Sequence, residues 1–260
     1  MRVRWDASKG RPEPLDALDR IKLEESGEPL VDIRKAAPSV RLERQFVIPY
    51  LRKTVAEMLE RAASVLPKGR YFGVTDAWRP IERQQRIYDT AIGWAREAFP
   101  DRGFASLRRT VNRYVHATNR KAPPGHTTGA AVDVQLLDEK GEVVDVWSPW
   151  NRFAASRTYT LGLEAESARN REILVGSMLG AGFSNCRDEY WHYSYGDAAW
   201  AVRTGGNRCI YGIAMLDPNL YHQLEEEHAE YMRTRENPFL AARSAARAQA
   251  GTWPSKKAGG

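Results

Sequence analysis

Residues 124–136 read PGHTTGAAVDVQL and place a histidine, His126, seven residues before an aspartate, Asp133. From Ala130 onward, aliphatic residues alternate with small or polar ones, which is typical of a half-buried strand. His126 precedes this strand, and Gly129 allows the backbone between them to bend and to pass close to a neighbouring group. A loop histidine that folds back toward a strand carboxylate provides half of a metal site.

The composition is that of an ordinary globular chain of 260 residues, with 42% hydrophobic and 28% charged residues. This length is enough for one large domain or for one domain with extensions. No apolar run of about 18 residues is present, so no membrane span is predicted, and the first residues lack the apolar stretch of a secretory signal. Cys186 and Cys209 are too few for a disulfide scaffold, and free thiols favour a cytoplasmic location.

The positive charge is concentrated at the C-terminus. The formal net charge is +6, and residues 233–260 contribute five of these charges, so the rest of the chain is almost neutral. A basic groove for nucleic acid is therefore not predicted. We interpret the basic segment as a solvated helix face with a loose terminus; the alternative is an arm that binds a polyanion.

The predicted fold class is α+β, with a small, mainly antiparallel sheet flanked by helices and a helical C-terminal extension. Helices are predicted at 46–65, 81–98, 104–115, 168–180 and 217–250, and strands at 71–78, 130–136, 143–147, 189–195 and 209–213. The predicted organisation is an extended lead-in (1–35), a central domain (36–216), a helical extension (217–250) and a disordered basic tail (251–260).

The second half of the metal site is predicted near Glu189 and His192. Residues three apart on a regular strand face opposite sides, so Glu189 is expected at the bend where this strand begins. His192 would complete a His, Asp, His set with His126 and Asp133, which suffices for a zinc ion with one open position for water. Taken singly, such residues are more often structural than ligands, so the interpretation depends on their occurring together.

Three motifs together resemble the D-alanyl-D-alanine dipeptidase family. They are HTTGAAVD at 126–133, EYWH at 189–192, and TDAWRP at 75–80, which is similar to the family's Asp-x-Tyr-Arg-Pro motif. The same zinc arrangement recurs in related DD-carboxypeptidases and in the hedgehog signalling domain. The order and spacing of the motifs agree with the family from about residue 30 to residue 196.

The resemblance implies a zinc peptidase in the central domain that hydrolyses the D-Ala-D-Ala dipeptide. One zinc ion per chain would be bound by His126, Asp133 and His192. Zinc-bound water would attack the carbonyl, Glu189 would act as general base and then acid, and Arg79 would stabilise the oxyanion. The expected partner is therefore a small peptide of D-amino acids.

The chain departs from the family pattern at two substrate-facing positions. Pro124 stands where the dipeptidases usually have serine, and Asn151 stands where an aspartate helps to hold the substrate's ammonium group. Losing a carboxylate removes a charge-assisted partner for an amine. Asn151 and Trp78 are the candidate substrate contacts. Two alternatives remain open: a peptidase or DD-carboxypeptidase that acts on longer cell-wall peptides, and a non-catalytic zinc-stabilised binding module.

Other histidines are interpreted as structural. His222, Glu225, Glu226 and His228 form an acidic cluster, but histidines six apart on a helix are separated by about 240° and cannot both bind one metal ion. The sequence predicts a solvated helix face for this cluster and a surface position for His116.

Overall fold

The computed structural model describes residues 14–241 and is a mixed α and β protein. Its strands are β1 (Lys22–Leu23), β2 (Leu30–Asp32), β3 (Arg41–Leu42), β4 (Tyr50–Arg52), β5 (Tyr71–Asp76), β6 (Ala131–Leu137), β7 (Ser184–Cys186), β8 (Glu189–Ser194) and β9 (Arg208–Cys209). Its helices are α1 (Leu15–Leu18), α2 (Ile33–Ala36), α3 (Lys53–Ser64), α4 (Ile81–Ala98), α5 (Phe104–Val111), α6 (Ala165–Gly180), α7 (Ala198–Arg203) and α8 (His222–Thr234).

The main sheet has five strands in the order β3-β5-β6-β8-β7. Only β3 and β5 run parallel, and the other neighbouring strands are antiparallel. The predicted antiparallel character is thus present, but the prediction of a small sheet is wrong. Two further pairs, β1 with β9 and β2 with β4, join N-terminal residues to later parts of the chain.

The hydrophobic core lies between one face of this sheet and helices α3 and α6. The aliphatic residues of β6 that alternate in the sequence, such as Val132 and Val134, are fully buried there. Helix α3 contributes Val55, Leu59 and Ala62, whose three- and four-residue spacing places them on one side of the helix. The polar residues of β6 consequently face the other side of the sheet, where Asp133 lies.

Several predicted elements are shorter than expected. The helix predicted at 46–65 begins only at Lys53, because Tyr50–Arg52 pair with β2. The strand predicted at 143–147 is reduced to one bridge between Leu137 and Val143, although the predicted turn before it is present. After this bridge the Asp145 carboxylate accepts hydrogen bonds from the backbone of Trp147 and Ser148, which turns the chain away from the sheet.

The segment after β9 folds back over the domain. It includes a 3-10 turn at Pro218–Leu220 and helix α8, so the helix predicted from 217 begins at His222. The predicted disordered tail, 251–260, lies outside the described residues, and the division into domains stays a prediction. Within residues 14–241, no helix combines the length and the apolar character needed to cross a membrane.

Candidate metal centre

His126 lies on a single 3-10 turn, Gly125–Thr128, that immediately precedes β6. The turn ends at Gly129, whose φ of 71° is rarely adopted by residues with a side chain. A Cβ atom on Gly129 would also lie 2.3 Å from a methyl carbon of Leu30 and 3.3 Å from the backbone nitrogen of Arg52. The glycine is therefore required for both conformation and space, and it folds His126 back against the sheet.

A buried arginine that the sequence analysis did not identify holds this turn from β4. Arg52 Nε donates to the carbonyl of Thr128 at 2.8 Å, and its Nη2 donates to the carbonyl of Gly212 at 3.1 Å. The Arg52 backbone N–H also donates to the Gly129 carbonyl at 2.9 Å. Arg52 thus joins the histidine turn to the C-terminal segment, and no local sequence signal distinguishes it from a surface arginine.

Asp133 and His192 are directly opposite each other on the antiparallel strands β6 and β8. Residues opposite each other in such a pair have their side chains on the same face of the sheet. On the other side of β6, a register shift at Thr75 brings Asp76 opposite Asp133. The strand register therefore gathers two carboxylates and a histidine beside the turn that carries His126.

The three predicted ligands converge in the structure. His192 Nδ1 lies 2.9 Å from Asp133 Oδ1 and 3.1 Å from His126 Nε2, and His126 Nε2 lies 3.3 Å from Asp133 Oδ1. Ligand atoms about 2.1 Å from a tetrahedral zinc are roughly 3.4 Å apart, so these separations are close to those of a zinc site. Among the described residues, this is the group of histidine and carboxylate side chains able to hold a metal ion.

Hydrogen bonding and charge also favour a cation at this point. His126 Nδ1 donates to the Ala77 carbonyl at 2.7 Å, which leaves the Nε2 lone pair directed at the other two groups. Burial raises the pKa of Asp133, but its interactions with His126 and His192 more than offset this and lower the pKa below its usual value. Burial lowers the pKa of His192. An ionised carboxylate and neutral imidazoles are the forms that bind zinc.

Glu189 is the first residue of β8, as the spacing predicted. The register between β7 and β8 shifts at this point. Asn185 pairs with Tyr193, but the next residue, Cys186, pairs with Glu189, four residues away from Tyr193. The irregularity brings Glu189 to the same cleft as His192. Burial, followed by the charge of Asp133, raises the pKa of Glu189 well above its usual value.

Arg79 is buried and held in one orientation just after β5. Its Nη2 pairs with Asp76 Oδ2 at 2.7 Å, and its Nη1 donates to Gln84 Oε1 at 3.1 Å. Gln84 is itself fixed, because its amide donates to the carbonyl of His116 at 2.7 Å. The buried Arg79 Nε has no acceptor within residues 14–241.

Two clefts meet at this group of residues, and Arg79, Asp133 and Glu189 line both. The first, which we call the arginine-rich cleft, has a volume of about 570 Å³ and further contains Arg109, Arg113, Arg157, Arg187 and Arg203. The second, which we call the aromatic cleft, has a volume of about 430 Å³ and contains Phe46, Trp94, Phe153, Trp191, Tyr231 and Phe239.

The two candidate substrate contacts have internal partners. Asn151 lines the aromatic cleft, but its amide donates to the Ala241 carbonyl at 3.0 Å and its oxygen accepts from the Ala154 backbone at 2.7 Å. Trp78 is only 2% exposed, donates to the Ala214 carbonyl at 3.1 Å and lines neither cleft. Its position is that of a core residue behind Arg79. Pro124 lines the arginine-rich cleft.

The predictions for the other histidines need correction. His228 is only 5% exposed and packs edge-on against Phe46, with ring centroids 5.3 Å apart. Glu225 is not simply solvated either, since it pairs with the buried Arg83 at 2.5 Å. His116 is not a surface residue: it lines the arginine-rich cleft, and burial lowers its pKa to about 4. Helical periodicity did not reveal the contacts of His228 and Glu225, because α8 packs its mixed polar face against the domain.

Comparison with known proteins agrees with this geometry. The sequence profile of the D-Ala-D-Ala dipeptidase family matches residues 43–208, which include all three motifs. The chain belongs to this family. It is 31% identical over 223 residues to a D-alanyl-D-alanine dipeptidase of Synechocystis sp., covering 72% of this chain and 90% of that protein. A D-alanyl-D-alanine dipeptidase of Escherichia coli is 26% identical over 151 residues, which is 57% of this chain and 68% of that protein. Membership of the family makes this protein a metallopeptidase.

Solved structures show weaker similarity. A vancomycin-resistance D,D-pentapeptidase VanY mutant in complex with Zn(II) is 18% identical with a TM-score of 0.36, covering 60% of this chain and 80% of that one. VanYB in complex with D-alanine-D-alanine is 20% identical with a TM-score of 0.33, covering 72% of this chain and 84% of that one.

Proposed function

We propose that this protein is a zinc-dependent hydrolase of the D-Ala-D-Ala dipeptide. The observation that carries the proposal is the convergence of three metal-binding side chains beside a buried glutamate and a buried arginine with an unused donor. The names of the family and of its two relatives supply the substrate class, which the geometry alone does not specify.

His126, Asp133 and His192 would hold one zinc ion per chain. Two imidazole nitrogens and one carboxylate oxygen are a donor set that catalytic zinc accepts, with one position left open. When bound, zinc supplies a Lewis acid that polarises a carbonyl group and lowers the pKa of water toward about 7. Ala77, which accepts the other N–H of His126, keeps that ring in the tautomer required for metal binding.

Glu189 would accept a proton from the attacking water and deliver it to the leaving amine. A group that performs both transfers near neutral pH needs a pKa above that of an ordinary carboxyl group. Burial and the neighbouring Asp133 charge raise the pKa of Glu189 in this direction, and Arg79 opposes the rise. The adjacent guanidinium thus keeps the carboxylate form accessible as a base.

Arg79 would stabilise the oxygen of the carbonyl under attack as negative charge develops on it. The Asp76 and Gln84 contacts fix the guanidinium, so that it need not reorganise during the reaction. Fixed donors directed at a developing oxyanion contribute roughly 2.7–4 kcal/mol each. Arg79 lines both clefts together with Asp133 and Glu189.

The arginine-rich cleft would receive the terminal carboxylate of the substrate. Within this cleft the buried Asp188 contacts three guanidinium groups, those of Arg187, of Arg113 at 2.9 Å and of Arg157 at 3.6 Å. One carboxylate cannot neutralise three arginines, so two positive charges remain for an anionic ligand. Glu189 adjoins Asp188 in the chain and precedes the proposed ligand His192 by three residues.

The decisive experiment is an assay of D-Ala-D-Ala hydrolysis by the purified protein, before and after treatment with a chelator and after zinc is restored. We expect turnover that is lost with the metal and recovered with zinc. A dipeptide with a C-terminal amide should be hydrolysed more slowly, because it lacks the carboxylate. A zinc-loaded protein that hydrolyses no D-Ala-D-Ala bond would refute the proposal and favour the non-catalytic binding module.

A further inference from the structure

About a third of the residues that line the aromatic cleft belong to a part of the chain that the family match does not include. The match ends at residue 208, whereas Tyr231, Arg235, Phe239 and Ala241 line this cleft. The rest of the lining includes Trp94, Phe153 and Trp191 together with the proposed catalytic residues Arg79 and Glu189. The C-terminal segment therefore gives this protein a substrate-facing wall in addition to the metal centre.

This wall is fixed to the domain by buried contacts. Arg83, which is 1% exposed, pairs with Glu225 of α8 and donates to the Leu224 carbonyl at 3.0 Å. The ring of Tyr231 lies 4.7 Å from that of Phe46 between centroids. The ring of Phe239 lies 5.3 Å from that of Phe153. A cleft held in this way exists before a ligand binds, which reduces the entropic cost of binding.

The size of the cleft exceeds what a dipeptide requires. Its volume of about 430 Å³ is that of a separate ligand pocket, and it adjoins the arginine-rich cleft of about 570 Å³. A dipeptide whose carboxylate lies in the arginine-rich cleft has only two methyl side chains and one amino group left to place. The aromatic cleft is then available for whatever is attached to that amino group.

Arginines around the aromatic cleft indicate an acidic ligand. The guanidinium of Arg152 lies 5.6 Å from the Trp191 ring, and that of Arg235 lies 5.6 Å from the Trp94 ring. Within residues 14–241, neither of these arginines has a carboxylate at salt-bridge distance, and the Asp76 carboxylate of this cleft is paired with Arg79. Of the other acids of the lining, Asp133 and Glu189 belong to the proposed metal centre, and Glu236 is exposed.

We infer that the aromatic cleft binds an acidic N-acyl extension of the D-Ala-D-Ala unit, so that this protein hydrolyses acidic longer peptides as well as the dipeptide. The carbon skeleton of the extension would pack on the rings of Trp94 and Tyr231, and its carboxylate would pair with Arg235. In the reaction, water adds its hydroxyl to the carbonyl carbon and a proton to the leaving nitrogen. The products are free D-alanine and the shortened acyl peptide. The inference rests on the proposed hydrolysis at this metal centre.

The test compares three substrates: free D-Ala-D-Ala, N-acetyl-glutamyl-D-Ala-D-Ala and its glutaminyl counterpart, which has the same shape without the charge. We expect hydrolysis of all three, with kcat/KM about tenfold higher for the glutamyl than for the glutaminyl peptide. Arg235→Gln should bring this ratio close to one. Arg233→Gln is the matched control, because Arg233 lies two residues earlier in the last turn of α8, pairs with Glu230 and lies outside the cleft, and the ratio should stay unchanged.

Binding provides a readout that does not depend on turnover. In the Glu189→Ala protein, calorimetry should give a Kd about tenfold lower for the glutamyl than for the glutaminyl peptide, and adding Arg235→Gln should abolish the difference. Hydrolysis of the free dipeptide without hydrolysis or binding of either acetylated peptide would overturn the inference and leave the proposed function intact. Equal ratios in the Arg235 and Arg233 variants would also overturn it. Failure to hydrolyse any of the three substrates contradicts the proposed function, and the calorimetric comparison then still decides whether the aromatic cleft binds the acidic extension.

Discussion

A histidine buried under the C-terminal helix should make the protein sensitive to mild acid. His228 is almost fully buried against Phe46, and its Nδ1 has no hydrogen-bond partner among residues 14–241. Burial, and then the positive charge of Arg83, lower its pKa to about 3 from an ordinary value of 6.5, although Asp76 opposes the shift. The folded protein therefore keeps this ring neutral at a pH where the unfolded chain is protonated.

The size of the effect follows from this difference in pKa. Because the folded-state pKa is the lower one, the stabilisation is complete above pH 6.5 and is lost as the pH falls toward 3. Between about pH 7 and about pH 5, the unfolded chain gains about 2 kcal/mol from protonation of this group, while the folded state gains almost none. A folded-state pKa one unit higher hardly changes this result. The corresponding change in Tm for a chain of this size is about 4–8 °C.

The assay is denaturant unfolding at the two pH values for the wild type and for His228→Phe, which keeps a ring against Phe46 and removes the titratable group. We expect the wild type to lose about 2 kcal/mol more than the variant over this interval. The metal centre is common to both proteins, so its own pH dependence cancels in the difference. His222→Phe is the control, because His222 lies in solvent on the same helix. Equal pH dependence in the wild type and the His228 variant would refute the reasoning.

Three further substitutions test the site and its support. Glu189→Ala should retain zinc while turnover falls on the order of 10²-fold or more, and activity near the wild-type value would contradict its proton-transfer role. His192→Ala should lower bound zinc, measured by metal analysis, well below one per chain; an unchanged content would remove His192 from the site. Glu225→Gln removes the carboxylate that pairs with the buried Arg83 and should lower the free energy of unfolding by about 3 kcal/mol. Glu226→Gln, at a side chain 73% exposed, should change it by less than about 0.5 kcal/mol, and equal effects of the two substitutions would exclude a special role for the buried pair.

The metal centre could be predicted from the sequence because each part has a local signature. The alternation around Asp133, the glycine after the histidine turn and the spacing of Glu189 and His192 depend on backbone geometry within a few residues. Helix α4 was predicted with its bounds for the same reason. Its apolar residues recur with a period of 3.6 residues from Ile81, which follows Pro80, to Ala98.

The contacts that complete the clefts were decided only by the tertiary structure. Arg52 donates to the histidine turn from 76 residues away in the chain, and Glu225 pairs with Arg83 across 142 residues. No local sequence pattern predicts either contact. The predicted solvated face of α8 was wrong for His228 because helical periodicity describes which residues share a face but not what covers that face. The sequence by itself thus determined which side chains meet at the candidate metal centre, from the residues at three short motifs. Which charges are buried, and how much room lies beside the metal ligands, depended on how distant segments pack, because burial and cavity volume are properties of the packed chain.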